Sequence, residues 1–212
     1  MMLSGLEKKD INIYFYVKEL YKEPFMISQY LDGLISKNET YRYNCFKVLY
    51  NISENKPDML YPHWDFFTNN LKSKNDYHKI SAVLIIANLT KVDKDDRFGK
   101  VFNIFYGHLK SKKTIVPIYI LKSSGKIVKF KPNLEEKITN LLLNIEKIFP
   151  GKQIELIKSA VIEAFSEFFY KAKNKQKIIF FVKKQLDSNS PKTRKIAKLF
   201  LRKFGDLDKD GC

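Results

Sequence analysis

Cysteine is scarce in this chain. There are two in 212 residues, Cys45 and Cys212, and they lie far apart. That spacing fits neither a disulfide framework nor a zinc pattern, and it points to a reduced, cytoplasmic protein. Long apolar runs are missing as well. None approaches the ~20 residues that a membrane helix needs, so no membrane partner is expected. Lysines and acids interrupt the opening "MMLSGLEKKDINIYFYVKEL", which is therefore not read as a secretory signal. Histidine is limited to His63, His78 and His108, with no H-x-x-x-H or H-E-x-x-H spacing for a metal. The glycines are scattered, and "SSGK" (123–126) lacks the upstream glycine of a phosphate-cradling loop. These absences leave no catalytic constellation, no cofactor and no metal to expect.

What is present is apolar bulk and positive charge. Apolar residues make up 44% of the chain, with 17 Phe and 12 Tyr, enough for a packed core and too much for a disordered chain. The net charge is +16, and its excess sits in two blocks. Residues 110–131 hold seven basic and no acidic side chains; residues 171–203 hold twelve basic and one acidic. Clustering of this kind suggests an anionic partner, although lysine on every solvated face would produce the same counts.

A five-residue phrase recurs: "LISKN" at 34–38, "LKSKN" at 71–75, "LKSKK" at 109–113 and, more loosely, "LDSNS" at 186–190. The leucines are 37, 38 and 77 residues apart, and the midpoint of the long interval is filled by Ile148 of "IFPGK". A fixed period of this length signals stacked units. Eleven residues past the leucine stand Cys45, Ala82, Ile120 and Ala197, with Ala160 one residue late; mostly small side chains there suit a helix pressed against its neighbour. Eight residues past it stand Arg42, Lys79 and Arg194, read as a ladder bonding acidic or carbonyl groups of neighbouring units.

Each unit reads as two helices. The first run over 25–35, 61–72, 97–110, 134–148 and 176–186; the second over 39–52, 76–89, 114–128, 153–170 and 191–204. Apolar residues recur at three- and four-residue steps in both sets, as with Ile80, Val83, Leu84 and Ala87 on one face. Asn38, Asn75, Thr114 and Ser190 stand where N-caps are wanted. Pro191 takes the first helical position, and Pro117 falls in a first turn. "DKDD" (93–96) reads as a turn capping the next helix.

In its helix–turn–helix period, its Asn/Ser-capped turn, its recurrent Arg or Lys and its small second-helix residue, the chain resembles the HEAT-repeat (armadillo-like) family over about 26–204. The resemblance implies an all-α, right-handed α-solenoid of about five HEAT-like repeats. Residues 1–25 would hold an N-terminal capping helix (11–21), and residues 205–212 a polar tail. It also implies a concave face lined by second helices and a non-enzymatic scaffold that binds an as yet unidentified protein there. Nucleic-acid binding through the two basic blocks is the second expectation. HEAT-like DNA glycosylases make a base-excision enzyme the third, but Trp64 and Asp65 fall on a first helix, and no matching catalytic positions are present.

The residues proposed for a basic stripe are Lys122, Lys126 and Lys129 in the third unit and Lys192, Arg194, Lys195, Lys198 and Arg202 in the fifth. In the last helix, Ile196, Leu199, Phe200 and Phe204 are expected to be buried. Cys45 reads as an inert packed thiol, and "DLDKDG" (206–211) opens like a calcium loop but lacks the twelfth-position Glu. The helical reading predicts a far-ultraviolet circular dichroism spectrum dominated by helix; a substantial β contribution would refute it.

Overall fold

The structure, a computed structural model, describes residues 2–205. Among them are twelve α-helices and no strand. A short 3-10 segment, Met2–Glu7, precedes α1 (Ile13–Lys22), α2 (Ile27–Leu34), α3 (Glu39–Asn55), α4 (Trp64–Leu71), α5 (Asp76–Leu89) and α6 (Arg97–Gly107). Then follow α7 (Ile115–Phe130), α8 (Glu135–Leu143), α9 (Ile145–Ile148), α10 (Ile154–Phe168), α11 (Lys175–Lys184) and α12 (Pro191–Phe204). None of the described helices is long and apolar enough to cross a membrane. Pro24, Pro62 and Pro132 open 3-10 turns that lead into α2, α4 and α8, where a fixed φ and a missing N–H cost little.

The recurrent phrase is a hydrogen-bonded turn. In all four copies the serine hydroxyl accepts an N–H from two residues on: Ser36 from Asn38, Ser73 from Asn75, Ser111 from Lys113 and Ser188 from Ser190, each at 3.1 Å. Side chains of Asn38, Asn75 and Ser190 then cap α3, α5 and α12 by accepting from Tyr41, Tyr77 and Thr193. Thr114 does not cap α7; its hydroxyl donates instead to Gln153 Oε1 at 3.1 Å. The Arg ladder is also corrected. Arg42 and Arg194 donate to the carbonyls of their own turns, Ser36 (2.8 Å) and Ser188 (2.6 Å), and the Arg42 guanidinium also lies over the Tyr77 ring of the next repeat. Lys79 pairs with Asp76 in its own first turn.

The chain divides into two compact units, Met1–Phe102 and Asn103–Cys212. In the first, α3 packs against α1, α2 and α5, and α4 covers α5. Cys45 on α3 sits directly on Gly33 of α2, with burial pushing its thiol up to about 12. Asn44 is buried and its Nδ2 donates to the carbonyls of Leu6 and Lys8, both at 2.8 Å, which fastens the N-terminal 3-10 segment to α3. Between α3 and α5, Asn88 donates to Ser53, and Ser53 to the Tyr50 carbonyl. A single apolar face was expected on α5. Instead Ala82, Val83, Ile85, Ile86, Ala87 and Leu89 are all buried, and the expected Ile80 and Leu84 are only half-buried. Asp93 caps α6, accepting from the N–H groups of Arg97 and Phe98.

In the second unit α10 packs against α7 and α12, while α11 contacts α8 and α12. The recurrent positions Cys45, Ala82, Ile120, Ala160 and Ala197 are buried throughout the two units. The expected helix 134–148 is broken between α8 and α9. Asn144 Nδ2 donates to the Asn140 carbonyl, a local bond that competes with the helical ladder.

A methyl group on Gly33 would meet Cys45 Sγ and, at 3.2 Å, the Tyr41 ring. Gly33→Ala is therefore expected to cost about 1–3 kcal/mol in urea unfolding. Beside Cys45→Ala, which removes the clashing sulfur, the added loss should shrink. A Gly33→Ala protein as stable as the parent would contradict the close α2–α3 contact.

Candidate binding surface

The best-defined candidate surface is the outward side of α12, and its inward side explains why. Thr193, Ala197, Phe200 and Phe204 are buried. The rings of Phe200 and Phe204 lie 5.2 and 4.7 Å from that of Phe169, which follows α10. At the N-terminal end, Thr193 Oγ1 donates to the Glu155 carbonyl at 2.7 Å, and the Ser188 hydroxyl donates to the Glu155 carboxylate. Lys158 donates to the same carboxylate (2.8 Å) and to Glu146 (2.6 Å). Ser190, Pro191 and the Arg194 guanidinium then fix the first turn.

This anchoring corrects the expected burial of Ile196 and Leu199. Leu199 is 56% exposed rather than buried, and Ile196 is half-buried. Thr193 and Ala197 take the inward places because small side chains allow α12 to approach α10. Arg194, Lys195, Lys198, Leu199 and Arg202, with Pro191, line one shallow cleft of about 400 Å³. Lys192 is exposed near its start. No acidic residue occurs in 188–205, and among the described residues Lys192, Lys195, Lys198 and Arg202 make no ion pair. Arg194 is committed to the turn. Leu199 escaped the sequence reading as a surface residue. The available signal was cationic neighbours at its i−4, i−1, i+3 and i+4 positions, Lys195, Lys198, Arg202 and Lys203.

The α7 lysines form a separate row. Lys122 and Lys129 are exposed, and Lys126 is half-buried near Glu167 of α10. Burial raises the Glu167 carboxyl above its ordinary range and Glu163 adds to the rise, while Lys126 opposes it. Glu167 packs onto Gly125, so "SSGK" is a helix contact. None of these lysines lines the α12 cleft, and α10, which bears Glu163 and Glu167, packs against both α7 and α12.

The other candidates are accounted for by packing. Asp65 pairs with Arg97 at 2.7 Å, and that guanidinium lies over the Tyr61 and Trp64 rings. His63 and His78 are half-buried, and burial lowers the pKa of both, with Arg42 adding to the effect at His78. Among the described residues no group of three His, Cys, Asp or Glu is placed to hold a metal. "DLDKDG" and Cys212 lie outside the described residues. No protein-family model, curated protein or solved structure matches the chain.

Glu155 ties α10 to α12 and gives a pH signature. Burial opposes its ionisation, but the bonds from Lys158 and Ser188 and the Lys158 charge outweigh that and hold its pKa below the ordinary 4.5. A depressed carboxyl pKa contributes stability that is present above the unfolded value and lost as pH falls through the folded one. Glu155→Gln should therefore destabilise the protein at pH 7, with the deficit shrinking as the pH drops below 4.5 in urea titrations. An equal deficit at both ends of that range would contradict the assignment.

Proposed function

We propose that the chain is a non-enzymatic helical-repeat scaffold of the HEAT-like kind, an α-solenoid of about five repeats, that binds a protein partner through the surface of its second helices. Two features support the repeat reading: the shared serine turn, and the side-by-side packing of α3 with α5 and of α10 with α7 and α12. The observation that carries the binding reading is large apolar side chains exposed on second helices within each unit, Tyr43 and Tyr77 in the first and Ile115 and Leu199 in the second, although Phe25, Ile104 and Phe180 are exposed elsewhere. Tyrosine is enriched at protein interfaces, and rigid helices present such side chains at low entropic cost.

Nucleic-acid binding is the second reading. It is favoured by the exposure of Lys122, Lys129, Lys192, Lys195, Lys198 and Arg202. Phosphate contacts need only such charge and weaken steeply with salt.

Extract passed over the immobilised full chain, with and without prior nuclease treatment, separates the two. A protein partner retained at moderate salt, without nucleic acid, is the expected result. The scaffold reading fails if only nuclease-sensitive material is held. It also fails if a labelled duplex binds, loses affinity steeply with salt, and is released by Lys195→Glu with Lys198→Glu.

A further inference from the structure

We propose that the α12 cleft docks an acidic amphipathic helix, with Leu199 as the apolar seat and Lys195, Lys198 and Arg202 as the surrounding charge clamp. This rests on the scaffold reading and names the partner's chemistry. The cleft runs from Pro191 to Arg202 along one helix, a length of about 16 Å, or three turns of a partner helix. An amphipathic helix laid along it repeats at the same three- and four-residue spacing, so its side chains fall in register with those of α12.

The selectivity follows from the order of the side chains. Leu199 lines the cleft and is exposed, with Lys195 and Lys198 before it and Arg202 after it along α12. A matching segment carries Leu, Ile or Phe facing Leu199 and Glu or Asp one turn to either side. Burying the apolar pair removes water from around the flanking charges and strengthens them. A phosphate backbone meets this surface less well, because it offers nothing apolar to cover Leu199. Among the described residues no acidic side chain pairs with Lys195, Lys198 or Arg202, so their charge faces outward on this surface. Arg194 does not share this role, because the Ser188 carbonyl holds its guanidinium at 2.6 Å.

The test uses the full chain and a labelled synthetic helix with one Leu flanked by Glu at i−4, i−3, i+3 and i+4. The control peptides replace Leu by Gln, or Glu by Lys. Binding is read by fluorescence anisotropy at low and moderate salt. The Leu/Glu peptide is expected to bind, and the Gln peptide to bind at least about tenfold more weakly, the loss expected for one large buried apolar side chain. Leu199→Gln should reproduce that loss with an unchanged melting temperature, since the side chain supports no core. Lys198→Glu with Arg202→Glu should abolish binding of the Glu peptide and confer binding of the Lys peptide.

Failure of the Leu/Glu peptide to bind at low salt overturns the proposal. Equal binding of the Leu and Gln peptides also overturns it, as does a DNA duplex binding more tightly and insensitively to Leu199→Gln. The extract experiment distinguishes this from the broader reading. If partners retained by the parent chain are also retained by Leu199→Gln and by Lys198→Glu with Arg202→Glu, the cleft is wrong and the scaffold stands. If the parent retains none, the scaffold reading falls.

Discussion

The long helices α5 and α10 carry more apolar surface than a single neighbouring helix can cover. In α5 the buried residues Ala82, Val83, Ile85, Ile86, Ala87 and Leu89 spread over more than half of the helix circumference, whereas α4 spans only Trp64–Leu71. A helix buried over so wide an arc needs neighbours on more than one side, and besides α4 the helix α5 finds one in α3. In the second unit α10 is placed likewise, between α7 and α12. Close approach is then required, and the small residues follow from it: Gly33 beneath Cys45, Gly125 beneath Glu167, and alanine at 82, 160 and 197. A lone pair of helices would leave this surface in water, so α5 and α10 depend on the neighbours within their own unit.

The turn sets the geometry that makes such packing repeatable. A serine hydroxyl closes the turn, an Asn or Ser caps the following helix, and in two units an arginine ties that helix back to the serine carbonyl. All of these bonds are local, within six residues, so the same short phrase can build the same angle wherever it stands. Where the phrase is altered the helix start changes too. Lys113 replaces the capping residue before α7, and Thr114 turns to Gln153 instead. The functional candidates share this dependence. Lys195, Lys198, Leu199 and Arg202 face outward because the Ser188 turn and the Thr193 contact fix the rotation of α12.

Local chemistry was readable in the sequence; long-range contact was not. The spans of α5 and α12 follow directly from Asn75, Ser190–Pro191 and the apolar period. Asp93 as the cap before α6 follows from the acidic turn. Asn44 could not be read the same way, because its partners Leu6 and Lys8 lie 38 and 36 residues earlier, and nothing local marks an asparagine that grips a distant carbonyl. Which face of α12 turns inward was equally hidden. Ile196, Leu199 and Phe200 are all apolar, so period alone allows two rotations, and only the fit of Thr193 and Ala197 against α10 chooses between them. The Arg42 and Arg194 position was visible as a repeat, yet recurrence cannot tell a bond to the next unit from a bond to the unit's own turn.

Native-state amide hydrogen exchange tests most directly the claim that the second helices are stabilised by neighbours on several sides. Protection follows the free energy of the opening that exposes each amide. The account predicts that α5 over 82–89 and α10 over 157–168 exchange slowest within their units, and that α4 and α11 open at lower free energy. Exchange of α5 or α10 as fast as that of the first helices beside them would contradict it.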